Sequence, residues 1–162
     1  MSRKKPTSTL HEALASTAWG VEPGRFALLG FPQAPLPEDL TALGEGPGQL
    51  IREGGETTLL TPQEGLAEAL ERHPAAQVAG DLAWIRFHQP MGWEVVGFLA
   101  HVTGGLAAAG VPLGAVCGFS RDHLFVADPH LPRAREVLTR LFGPEQVQSR
   151  RGRPAGESAA GP

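Results

Sequence analysis

Five apolar side chains, Val95, Leu99, Val102, Leu106 and Ala109, recur at intervals of four, three, four and three. That spacing places them on one continuous helical face, and Phe98 widens the stripe. Gly104, Gly105 and the alanines leave the rest of this helix slim, so its backbone can lie close to a sheet. The flanking sequence supplies strands for that sheet. Trp84, Arg86 and His88 alternate with Ile85 and Phe87, the period of a half-buried strand. After the helix, Gly110 is a favoured stop. Residues Val111–Phe119 and His123–Val126 then read as a strand pair. Asp128-Pro129 opens a last helix over about Leu131–Phe142. Ala134, Val137, Leu138, Leu141 and Phe142 form its buried face, and Gly143-Pro144 ends it. The order is strand, helix, strand, strand, helix, with the first helix spanning Val95–Ala109.

The first half repeats that order with little shared sequence. Arg25–Phe31 is a strand closed by Pro32, and Pro37–Leu43 a short helix. Gln49–Glu53 and Glu56–Leu60 flank Gly54-Gly55, a hairpin turn that needs positive φ. Gln63–Arg72 is a short helix, and residues 74–80 are a connector. Neither half buries much alone, because a ~60-residue unit removes only about 60% of its surface from water. An α+β arrangement of two βαββα units is expected, with antiparallel strands and helices on one sheet face. The first unit spans 19–76 and the second 77–147. Residues 1–18 form a flexible extension and 148–162 a disordered tail.

Hydrophobic residues make up 41% of the chain, enough for an interior. The formal net charge is −3, and the ends, with Arg3, Lys4, Lys5, Arg150, Arg151 and Arg153, leave the body between them more acidic. An acidic body matches phosphate backbones poorly, so nucleic acid is not an expected partner. Cys117 is the single cysteine, which excludes an internal disulfide and a thiolate-rich zinc site. In an apolar strand it reads as a small buried thiol. The start lacks the apolar run of a signal peptide, and no stretch approaches the ~20 apolar residues of a membrane span. A cytoplasmic protein without membrane contact is expected.

The run Pro90-Met91-Gly92-Trp93-Glu94-Val95-Val96-Gly97-Phe98-Leu99-Ala100, then Gly105-Leu106-Ala107-Ala108-Ala109-Gly110-Val111, then Ser120-Arg121-Asp122-His123-Leu124-Phe125-Val126, resembles a bacterial family of small ACT-domain proteins. That family is related to the regulatory domains of aspartate kinase and to cytosolic arginine sensors of animals. Leu59-Leu60-Thr61-Pro62-Gln63-Glu64 resembles the end of the family's first unit. The resemblance spans about residues 25–143 and implies tandem ferredoxin-like ACT units. It also implies a regulatory protein that binds a free amino acid or similar metabolite and works as a homodimer, without catalysis or cofactor. By that resemblance the loop residues Met91, Gly92, Trp93 and Glu94 would face the ligand. Cys117, Gly118, Phe119, Ser120 and Asp122 on the facing strand pair would complete the site. Two positions depart from the family pattern: Gly92 and Ser120 stand where it has Asp, while Asp122 keeps it.

The same residues have plainer readings. Gly92 suits a tight turn, Asp122 a hairpin, Glu94 a helix N-terminus, and Trp93 packing against the sheet. An adaptor that binds only a protein partner is the main rival function. An enzyme ranks lower. His88, His101 and His123 lack a metal-site spacing, so no metal is expected. Ser120, Asp122 and His123 lie in one hairpin without a nucleophile elbow.

Overall fold

A computed structural model describes residues 9–44 and 46–146. The elements run α1 (Leu10–Ser16), β1 (Trp19–Val21), β2 (Phe26–Phe31), α2 (Pro37–Thr41), β3 (Gln49–Glu53), β4 (Glu56–Pro62), α3 (Leu66–Arg72), β5 (Gln77–Phe87), α4 (Phe98–Ala108), β6 (Gly114–Cys117), β7 (Asp122–Ala127) and α5 (Leu131–Phe142). All strand pairs are antiparallel. They form one sheet in the order β3-β4-β2-β5-β7-β6, with β1 also on β5.

β5 joins the two halves. Its first residues pair with β2, from Phe26↔Leu82 to Gly30↔Gln77. Its last residues pair with β1 on one side and β7 on the other. Residues 77–80, expected as connector, are therefore strand, because β2 offers them a ladder. The register shifts between Phe26 and Leu28, beside Asp81, whose φ of 53° is left-handed. The Asp81 N–H donates to Gln63 Oε1 at 3.1 Å. This bulge resets the side-chain alternation, so Leu29 and Ile85 both face the helices.

The apolar interior lies on that helix face. Trp19, Ile85, Phe87, Val102, Leu124 and Leu138 centre one cluster, and Leu29, Phe31, Leu59 and Ala69 centre another. The opposite face holds a smaller group around Phe26, Leu60 and Phe125.

Several expectations are corrected. α4 starts at Phe98 rather than Val95, because Gly97, at φ 92°, breaks the backbone before it. β6 covers only Gly114–Cys117 of the strand expected over 111–119. β1 was not foreseen. Of the flexible extension, α1 is an ordered helix with a capping box between Thr9 and Glu12, and Ala13 is buried in the core; residues 1–8 lie outside the described residues, as does the tail expected over 148–162.

Candidate ligand cleft

The loop between β5 and α4 is held against the turn between β6 and β7. The Met91 N–H donates to the Ser120 carbonyl at 2.7 Å, and the Gly118 N–H to the Arg121 carbonyl at 3.0 Å. An Arg121 Nη1 donates to the His88 carbonyl at 3.3 Å. A Cβ on Gly118 would sit 2.8 Å from the Arg121 carbonyl, so only glycine allows this turn to close so tightly. Gly92 is crowded differently. A Cβ there would meet the Glu94 carboxylate, the end of a flexible side chain.

Between loop and turn lies a cleft of about 350 Å³. Met91, Gly92 and Trp93 line one side, and Cys117, Gly118, Phe119 and Asp122 the other. Glu94 and Ser120 border an adjoining hollow instead. The expected site residues are thus brought together around one loop and one turn. Sequence reasoning missed the first turn of α4 (Phe98, Leu99, Ala100), which closes the cleft, and Arg121 at its edge. Arg121 was visible between Ser120 and Asp122. The α4 residues were hidden because the helix was expected to start three residues earlier.

The first intrahelical bond of α4 runs from His101 N–H to the Gly97 carbonyl at 2.9 Å. The N–H groups of Phe98, Leu99 and Ala100 therefore have no partner within the helix and present its positive end to the cleft. Asp122 stands opposite Cys117 on the β6–β7 ladder. Slight desolvation, then the charge and hydrogen bond of the Asp122 carboxylate, push the Cys117 pKa above its ordinary value. This thiol is exposed rather than buried, because β6 is an edge strand. Trp93 does not pack against the sheet. It is 74% exposed, and with Phe119, at 88%, it forms an apolar rim.

Strand parity separates the remaining candidates. Asp122 is on the helix side of β7, with Leu124. His123 projects to the opposite face with Phe125. Ser120, Asp122 and His123 therefore do not converge as a triad. Among the described residues, no group of three His, Cys, Asp or Glu side chains could hold a metal ion, and no helix is long and apolar enough to cross a membrane.

No family model matches the chain, and no curated protein matches it. Solved structures do. The regulatory subunit of aspartate kinase from Thermus thermophilus, in ligand-free form, superposes with a TM-score of 0.58 at 15% identity, covering 80% of this chain and 98% of that one. The fold is similar to that of this regulatory subunit. A protein from Agobacterium tumefaciens gives 0.64 at 19% identity, over 81% of this chain and 92% of its own. A Vibrio cholerae protein of unknown function gives 0.60 at 21% identity, over 83% and 94%. The α+β fold with an antiparallel sheet expected from the sequence agrees with these neighbours.

Proposed function

We propose that this chain is a non-catalytic regulatory protein that binds a small zwitterion, a free amino acid, in the cleft between the 91–100 segment and the β6–β7 turn. The observation that carries this reading is charge complementarity across one cleft. N–H groups at the start of α4 that have no partner within the helix suit a carboxylate. Across from them Asp122 suits an ammonium group. The likeness to aspartate kinase regulatory subunits supports a regulatory rather than catalytic role. The exposed rim of Trp93 and Phe119 favours a second copy of the chain covering the mouth, since apolar patches of this kind mark interaction surfaces. Binding would then shift dimerisation or partner affinity by differential contact with two states.

A thermal-shift screen against the twenty amino acids tests this. At 100 times its dissociation constant a ligand adds about 2.7 kcal/mol, a rise of roughly 5–10 °C for a chain of this size. The rise should vanish with Asp122→Ala and with Gly92→Val, whose side chain would meet Glu94. An amino-acid response that survives both variants places the site elsewhere. No response to any amino acid favours the adaptor reading.

A further inference from the structure

The sheet face opposite the helices carries a separate groove of about 410 Å³. Trp84 and Arg86 from β5 and His123 from β7 form its base. Phe119 and Arg121 from the turn, and Pro47 from the loop before β3, form its walls. Register builds the base: Arg86 stands across from His123, and Trp84 across from Phe125. Edge-to-face contacts fix the aromatics, Phe26 to Trp84 at 5.9 Å and Phe26 to Phe125 at 5.4 Å.

The groove is unusually cationic for an acidic body. Arg86 lies 5.7 Å from the Trp84 ring centroid, and its contact with Glu22 is long, at 3.5 Å. Arg86 Nε is buried without a hydrogen-bond partner among the described residues. Burial, and then the charge of Arg86, lower the Arg121 pKa, as expected for two neighbouring guanidinium groups. The Trp84 indole N–H can only donate, and it does so to His123 Nδ1 at 3.2 Å. His123 is therefore neutral, with its proton on Nε2 as a further donor. Among the described residues no carboxylate lines the groove, and Glu22 reaches Arg86 from outside it.

We propose that this groove binds a small oxyanion, carboxylate or phosphate, carried on a flat aromatic ring. Two guanidinium groups and a donor imidazole converging on one groove call for an anion. The Trp84 and Phe119 rings offer stacking surface to the body that carries it. The site uses the opposite face of the sheet from the helix-side cleft and shares only the β6–β7 turn with it. Gly118, Phe119 and Arg121 border both hollows, so they do not discriminate between them. Arg86 and His123 belong to the groove alone.

Isothermal titration of the full chain with 1-naphthoate and with 1-naphthyl phosphate separates the carboxylate and phosphate sources, with 1-naphthamide and inorganic phosphate as partial probes. At least one ring-bearing anion should bind at a single saturable site. Each partial probe should bind about tenfold more weakly or worse, and Arg86→Gln and His123→Leu should each weaken the ring-bearing anion by about tenfold. Arg133→Gln, which removes the same charge from α5, should leave affinity unchanged. The proposal is overturned if neither ring-bearing anion binds or if Arg86→Gln has no effect. It is equally overturned if inorganic phosphate binds as tightly as the naphthyl ester, or 1-naphthamide as tightly as the naphthoate. None of these outcomes depends on the amino-acid screen, so the two readings fail separately.

Discussion

Asp39 is fully buried and accepts three hydrogen bonds. The Leu36 N–H donates at 2.8 Å, Arg72 Nε at 3.0 Å and His73 Nε2 at 2.9 Å. His73 is itself buried and stacked on Phe31 at 3.7 Å. The group ties the start of α2 to the end of α3. Burial alone would raise the Asp39 pKa, but the Leu36 N–H, His73 and Arg72 more than offset it, and the value falls below the ordinary 3.8. A depressed acid contributes stability that is complete above its unfolded-chain pKa and is lost as pH falls through the folded one. Asp39→Asn should therefore cost about 3–5 kcal/mol near neutral pH, the usual penalty for breaking a buried pair. The gap between variant and parent should narrow below about pH 3.8. Urea unfolding at neutral and acidic pH measures both, and a gap that stays constant in acid would contradict the assignment. Nothing local in the sequence announces this cluster. Asp39 reads as a routine acid in the first turn of a short helix, and its partners lie 33 and 34 residues away. The plainer readings of Cys117 as a buried thiol and of Trp93 as sheet packing fail for a related reason, because residue type suggests burial while position at an edge or a rim decides it.

At the scale of elements, the apolar stripe of α4 was legible and its start was not. Val95 continues the stripe in sequence, yet Gly97 takes a left-handed φ that places Val95 in a loop. That single residue decides which N–H groups face the cleft. Gly97→Ala places a Cβ where left-handed backbone costs L-residues about 1–2 kcal/mol, and 3.3 Å from Leu10 Cδ2 of α1. We expect a fall of that size in unfolding free energy and a weaker amino-acid response in the thermal-shift screen. An unchanged Tm would mean that the loop can re-form without the left-handed residue. α1 was read as mere extension because seven residues carry little periodicity. Leu10, Ala13 and Leu14 become informative only once the α4 core is there to receive them.

At the scale of the whole molecule, the repeated strand-helix-strand-strand-helix order was readable from periodicity and turn residues, and the way the halves complete each other was not. β2, β3 and β4 gain a fourth strand only by borrowing the first part of β5. The β5, β7 and β6 group gains one only from β1, near the chain's other end. Such pairings join residues far apart in sequence, where local pattern carries no signal. Trp19 shows how much rests on them. It is fully buried, its indole N–H donates to the Gly143 carbonyl at 3.0 Å, and its own carbonyl accepts from the Gln146 N–H at 2.8 Å. Residues 143–146 thereby seal the edge of β1 that faces away from β5, and the Val21 N–H donates to Glu145 Oε1 across the same seam at 3.2 Å. A chain of residues 77–146 contains every element of the second βαββα run but lacks Trp19 and the α1 side chains that fill its core. Losing a fully buried tryptophan alone removes about 3–5 kcal/mol, a large part of the 5–15 kcal/mol that holds a domain folded. The fragment should therefore lack a cooperative thermal transition by circular dichroism, while a fusion of residues 9–24 to its end through a flexible linker should regain one. A cooperative transition in the fragment alone would show that β1 decorates the second half rather than completing it.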